Sequence, residues 1–241
     1  IRDRVETPDV VSSGRSFVIF DNHSVDYFEH NQESGALQPT FAESFEEEII
    51  DISIPTDSNG QEHLAILTTT DLQLVDTSDN SVSFVDLNSN SSVVASSGSL
   101  VAVSEKSESG PLVNITSIDS ELTISIALDP RSSERIEASI VNSGTYLDFQ
   151  NSTIVDLVMD SNWLVATVDV GPFNRTILVD TLSINQTLIS NPRWDSSTPS
   201  IGEGRVAFLQ VTRDDILSIT SSSSRNNDVY VHDLESGETS Q

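Results

Sequence analysis

The sequence predicts an all-β fold, a β-propeller of about five to six four-stranded blades, complete or incomplete, with a β-sandwich as the alternative. Three observations predict it. Apolar residues come in short alternating bursts bounded by Asn, Asp, Ser and Gly, and no 3.6-residue period persists for three turns. The bursts recur in groups of four, at roughly 36 to 47 residues per group. Within a group the second burst is the most apolar, as in Leu64-Ala65-Ile66-Leu67, Leu100-Val101-Ala102-Val103, Trp163-Leu164-Val165-Ala166 and Val206-Ala207-Phe208-Leu209. Such runs suit strands covered on both faces.

Taken in order, residues 16–20, 25–29 and 37–41 make an imperfect first group. Residues 41–50 are the one stretch open to a helical reading, but Glu43, Glu46, Glu47 and Glu48 suit a turn or the approach to a strand as well. A full group follows at 49–54, 63–69, 72–76 and 82–87, with polar turns at Asp57-Ser58-Asn59-Gly60 and Asp79-Asn80. The next strands fall at 93–95, 100–104, 112–118 and 122–128. Residues 135–152 fit less well, offering a hairpin of 136–141 and 146–150 around Asn142-Ser143-Gly144. Two later groups occupy 154–159, 163–170, 176–180 and 182–190, then 199–201, 205–212, 228–234 and an unfinished strand near Thr239. Third strands end in a carboxylate before a turn: Val75-Asp76-Thr77, Val179-Asp180-Thr181 and His232-Asp233-Leu234. One domain over residues 1–241 is expected, as a mature chain or a piece of a longer secreted protein.

Residues Pro199-Ser200-Ile201-Gly202-Glu203-Gly204-Arg205-Val206-Ala207-Phe208, followed by Asn227-Asp228-Val229-Tyr230-Val231-His232-Asp233-Leu234-Glu235-Ser236-Gly237, carry a family pattern. This stretch resembles a TolB-type, WD-like β-propeller repeat, which runs Pro-x-Ile-Ser-x-Gly-x-x-Val-Ala-Phe and then Asp-Ile-Tyr-Val-x-Asp-Leu-x-x-Gly. The likeness is clear over residues 199–239; Thr176-Ile177-Leu178-Val179-Asp180 keeps the third strand but not the glycine turn. The resemblance implies a propeller fold and a role in interaction, and it brings no active site with it. It also implies that strands from the two ends can share a blade. The segment 4–11, with Val5, Val10 and Val11, is therefore a candidate exchange strand, closing the ring within the chain or adding to a neighbour.

Composition speaks to setting. The formal net charge is -27 on 241 residues, with one lysine, Lys106, beside ten arginines. A surface so rich in carboxylates repels itself in ordinary buffers and is screened within about 3 Å in molar salt. The chain is expected on the exterior or cell surface of a salt-loving archaeal microbe. Scattered arginines and strong acidity exclude nucleic acid and anionic membranes as partners. Cysteine is absent, and no apolar run reaches the 18 or so residues of a membrane span. The chain starts at Ile1 with no signal peptide, which is expected to have been removed or not recorded.

No catalytic constellation emerges. His23, His30, His63 and His232 share no zinc-ligand spacing. Calcium is the cation the turns invite, at residues 57–62 and 76–80, but neither has the twelve-residue loop with a terminal Glu, so no cofactor is expected. Nucleophile elbows, phosphate loops and His-Glu-x-x-His are missing. Asp214 and Asp215 read as a solvated loop tip rather than an acid/base pair. Asn22, Asn90, Asn114, Asn151, Asn174 and Asn185 each open a glycosylation sequon. The expected role is a non-enzymatic surface module, such as a filament or coat subunit, that associates with itself or with other surface proteins. The alternatives are a propeller that binds a sugar or peptide, and a carboxylate-dependent hydrolase.

Overall fold

The computed structural model describes residues 8–13, 15–30, 34–87, 91–108, 110–120, 122–128, 152–170, 173–191, 194–211 and 228–241. They form twenty strands in five four-stranded antiparallel sheets, the β-propeller architecture expected. The first sheet is β1 (Asp9–Ser12), β2 (Ser16–Phe20), β3 (Ser24–His30) and β4 (Leu37–Ser44). The second is β5 (Ile49–Ser53), β6 (His63–Thr68), β7 (Asp71–Asp76) and β8 (Val82–Asp86). The third is β9 (Val94–Ser97), β10 (Leu100–Ser107), β11 (Gly110–Ser117) and β12 (Thr123–Ala127). The fourth is β13 (Thr153–Asp160), β14 (Trp163–Asp169), β15 (Asn174–Asp180) and β16 (Asn185–Leu188). The fifth is β17 (Asp195–Gly202), β18 (Arg205–Val211), β19 (Asp228–Asp233) and β20 (Thr239–Ser240). In each sheet the strands neighbour one another in sequence order.

The chain divides into two compact units, residues 1–101 with 116–122 and residues 102–115 with 123–241. In the first unit, Val18, Phe20, Val25, Tyr27 and Phe41 of the first sheet pack on Ile52, Leu64, Ile66 and Val75 of the second. In the other, Val165 and Leu178 of the fourth sheet, with Ile189, pack on Val206 and Phe208 of the fifth. Each such side chain, fully buried, contributes about 1.5–3 kcal/mol. The apolar second strands behave as their composition demands. Leu64, Ala65, Ile66 and Leu67 of β6 and Leu164, Val165 and Ala166 of β14 have no exposed surface, on either face.

Residues 41–50 contain no helix: β4 runs to Ser44, a bend follows, and β5 starts at Ile49. The tertiary pairing of Phe41 with Tyr27 holds the segment extended, against its helix-compatible glutamates. The first group is a complete sheet because β1 supplies the strand it lacked in sequence. The fifth sheet is completed by the two residues of β20 rather than left with three strands. The hairpin expected over residues 136–150 and the loop with Asp214 and Asp215 lie outside the described residues.

The carboxylates that end third strands have a shared physical task. Asp76, Asp180 and Asp233 each begin a turn in which the main-chain N–H of the fifth residue donates to their own carbonyl, at 2.8, 2.8 and 2.9 Å. Their side chains accept N–H groups from inside the turn: Ser78 at 2.8 Å, Leu182 at 3.0 Å and Ser236 at 2.8 Å. The fifth residues, Asn80, Ile184 and Gly237, all have positive φ. The second residues of two turns, Thr77 and Thr181, fasten them to the facing hairpin by donating Oγ1 to the carbonyls of Glu62 and Asn162.

Candidate functional site

Within the second unit, three turns at one end of the fourth and fifth sheets surround a cleft of about 550 Å³. A two-residue connection, Ser161-Asn162, reverses β13 into β14 and sets Trp163 at the rim opposite Asp160. Glu203 and Gly204, at φ 50° and 74°, make the tight turn from β17 to β18, the geometry of a type I′ hairpin. Asp233, Leu234 and Glu235 come from the turn between β19 and β20.

The lining holds four carboxylates, from Asp160, Glu203, Asp233 and Glu235, against one cation, Arg205. Arg205 Nε lies 3.7 Å from Asp233 Oδ2, an exposed pair that water largely screens. The Asp233 carboxyl is held below its ordinary pKa chiefly by the Ser236 N–H, then by the Ser236 hydroxyl. Trp163 packs part of its ring into the core shared by the two sheets. The chemistry this favours is attraction of a cationic group with an apolar stem that lies along the indole. A carboxyl raised above its ordinary pKa is what acid catalysis would call for. Asp156 has such a shift, caused by burial and only partly opposed by the Leu157 N–H, but it does not line the cleft.

A second polar cluster sits in the first unit. Glu62 accepts hydrogen bonds from the hydroxyls of Ser13 and Tyr27, the latter at 2.8 Å, and Tyr27 is fully buried. Burial pushes the Glu62 carboxyl up, yet hydrogen bonds from Ser13, Ser16 and Tyr27 together outweigh it and its pKa is lowered. Burial likewise raises the Tyr27 phenol, which stays protonated as the donor. The arrangement satisfies a buried tyrosine rather than exposing a reactive group.

The predicted site residues are dispersed. Asn185 opens β16 and is exposed. Asn22 is half-buried in the turn after β2, where its carbonyl accepts the Ile49 N–H at 2.7 Å. Asn114 lies within β11, its amide donating to Glu105 and its carbonyl oxygen accepting from Ser125, so a glycan on Nδ2 would compete with the bond to Glu105. Asn174 starts β15, half-buried, with its N–H bonded to the Asp195 carboxylate at 2.8 Å. Asn90 and Asn151 lie outside the described residues, as does Val5. Val10 and Val11 lie in β1 and pair with Ile19 and Val18 of β2 in the same chain.

The four histidines remain apart, with His232 buried and Nδ1 bonded to Thr239 Oγ1 at 2.9 Å, and His63 Nε2 3.8 Å from Asp57 Oδ2. In the turn proposed for calcium, Asp57 Oδ1 accepts the N–H groups of Asn59 and Gln61, both at 2.8 Å, and Asp76 Oδ1 is engaged by Ser78. Among the described residues no group of three or more His, Asp or Glu side chains is placed to hold a metal ion. Sequence reasoning missed the cleft. The turn Gly202-Glu203-Gly204-Arg205 and the Asp233 turn were visible in the repeat pattern, but their convergence with Trp163 depends on how two sheets stack.

No protein-family model matches the chain, and no curated protein matches it. Solved structures do. The chain is similar to a putative TolB from Agrobacterium tumefaciens, at 11% identity and a TM-score of 0.56, over 98% of this chain and 79% of that one. It is similar to the β-propeller domain of the Trilobed protease from Pyrococcus furiosus, of open velcro topology, at 11% identity and a TM-score of 0.57, over 94% and 63%. It is also similar to Saccharomyces cerevisiae Sqt1, at 11% identity and a TM-score of 0.61, over 100% and 62%. The chain thus spans less than two thirds of the length of the last two. At these identities the likeness concerns the fold, which is that of a β-propeller.

Proposed function

We propose that this chain is a non-enzymatic β-propeller interaction module of a salt-adapted archaeal surface, and that it assembles with copies of itself into a filament or coat. The observation that carries the reading is the charge, -27 from 38 acidic and 11 basic residues, carried on a scaffold of stacked sheets. Self-repulsion at this density opposes assembly in dilute buffer and is screened in molar salt, where sheet surfaces can meet. An interaction role also fits a chain with no catalytic pattern in its sequence, a support drawn from fold-level analogy. Glycosylation of the exposed Asn185 belongs to the same reading.

The experiment is electron microscopy, with sedimentation, of the protein in about 3 M and about 0.15 M KCl, the screening lengths being about 2–3 Å and 8 Å. Ordered polymers in high salt that disperse in low salt support the proposal. Dispersed particles in both overturn it.

A second reading has its own observation. Trp163 beside four carboxylates favours capture of a lysine or arginine side chain of a partner. Titration with a lysine-rich peptide, compared between the wild type and Trp163→Ala, tests it, and equal affinities would dismiss the cleft as the site.

A further inference from the structure

The second and fourth sheets each carry an aspartate at the same place in the fold. Their first strands are bulged within matching runs, Ile49-Ile50-Asp51-Ile52 in β5 and Ile154-Val155-Asp156-Leu157 in β13. In both, the carboxylate accepts the N–H of the next residue, Ile52 at 2.9 Å in the one and Leu157 in the other. Asp51 Oδ2 accepts the Val94 N–H as well, at 2.9 Å. Its neighbours across the sheet are the buried Leu67 and then Leu72. Asp51 thus has a structural task in an apolar row.

The corresponding row of the fourth sheet is polar. Asp156 lies opposite Thr167, and Thr167 lies opposite Thr176. The two threonines are 1% and 0% exposed, and Thr167 Oγ1 is enclosed with no hydrogen-bond partner. Ser196 Oγ gives its single hydrogen to the Asn174 carbonyl at 3.0 Å, so Thr176 must be the donor in the 2.8 Å bond between Thr176 Oγ1 and Ser196 Oγ. That leaves the Thr176 oxygen only lone pairs to offer. Asp156 is half-buried, and among the described residues no cation offsets its charge. Since leucines fill this row in the second sheet, stacking does not demand hydroxyls here. Burying them underused beside a carboxylate costs free energy that a ligand would recover.

We propose that a monovalent cation is held between the Asp156 carboxylate and the hydroxyl oxygens of Thr167 and Thr176. Residues directly opposite on adjacent strands stand about 4.5–5.5 Å apart, a gap one ion bridges while touching an oxygen on each side. The chemistry of the row selects the occupant. All three groups present lone pairs, which suits a cation or a hydrogen-bond donor. Water would supply hydrogens but leave the carboxylate charge uncompensated. A single carboxylate matches a single positive charge, and it falls short of the carboxylate-rich shell of six to eight oxygens that calcium takes. The exposed part of Asp156 gives the ion a way in from solvent. The site lies within the fourth sheet, so it stands or falls independently of assembly between copies.

Melting temperatures of the full chain in about 1 M KCl, NaCl and tetramethylammonium chloride test it, since these salts screen charge alike, within about 3 Å, but the last has a cation too bulky to enter. An ion present at about 100 times its dissociation constant should raise the wild-type melting temperature by about 5–10 °C over tetramethylammonium. Asp156→Asn and Thr167→Val should each abolish that difference. Asp51→Asn should keep it while lowering the melting temperature in every salt, because the Asp51 carboxylate serves main-chain N–H groups. Wild-type crystals grown in rubidium chloride supply a readout that needs no variant: an anomalous peak is expected between Asp156, Thr167 and Thr176. A wild type that melts alike in all three salts, a difference that survives both substitutions, or a water alone at that position in the rubidium crystals overturns the proposal.

Discussion

Gly202 and Gly204 stand two residues apart at the hairpin between β17 and β18, and a methyl group added at either meets no heavy atom within 4 Å. Their backbones differ: Gly204 has φ 74°, whereas Gly202 lies outside the left-handed region. Replacing each by alanine therefore separates backbone strain from sterics. Both substitutions reduce the conformational freedom of the unfolded chain and gain about 0.4–1 kcal/mol from it. Gly204→Ala must in addition hold an L-residue in the left-handed region, at a cost of about 1–2 kcal/mol. Gly202→Ala is expected to stabilise by about 0.4–1 kcal/mol and Gly204→Ala to destabilise by up to about 1.5 kcal/mol. At roughly 2–4 °C per kcal/mol for a chain of this length, thermal melts should move in opposite directions and separate by about 2–8 °C. Calorimetry in one fixed salt concentration is the assay. Equal shifts, or a stabilising Gly204→Ala, would refute the assignment of that turn as type I′.

Other perturbations address the polar contacts. Glu62→Gln should cost about 2 kcal/mol at neutral pH by weakening the bonds to Ser13 and Tyr27, lowering the melting temperature by about 4–8 °C. Because the Glu62 pKa is lowered in the fold, its contribution is present above its ordinary value of 4.5 and is lost as pH falls through the folded value; the gap between wild type and variant should close below pH 4.5 in acid melts, and a constant gap would contradict the network. Burial lowers the His232 pKa below 6.5, so the neutral ring is the stable form and stability should fall as pH drops below 6.5; His232→Gln should lack that part of the slope in denaturant titrations. Thr77→Val removes the hydroxyl bonded to the Glu62 carbonyl at 2.7 Å and to Gln61 Nε2 at 2.8 Å, and should cost about 1 kcal/mol in urea unfolding. No change there would show that the turn clamp is dispensable.

Much of the fold was legible because its signals are local. A run such as Leu64-Ala65-Ile66-Leu67 has no polar side on which to face water, and a carboxylate such as Asp180 can satisfy the N–H groups of the next few residues without knowing the rest of the molecule. The recurrence of Leu-Val-Asp-Thr at residues 74–77 and 178–181 corresponds to the same turn and the same threonine clamp in two sheets. Residues 41–50 misled in the opposite way, since glutamates permit a helix and only pairing with β3 makes β4 extended. Sequons are equally local, but whether an asparagine is open, as Asn185 is, or engaged across strands, as Asn114 is, depends on neighbours.

Strand composition, turn chemistry and the acidic surface were thus set by the sequence on its own, each being decided within a few residues or by a plain sum of charges. Which sheet a short strand joins was decided by tertiary structure. Val10 and Val11 of β1 read as candidates for a blade at the far end of the chain, yet they pair with the strand that follows them. The same holds for the cleft, where Asp160, Trp163, Glu203, Arg205 and Asp233 are separated by up to dozens of residues and meet only because two sheets stack. The physical reason is that a strand's hydrogen-bonding edge and a sheet's apolar face are unspecific to partner until the competing partners are arranged in space.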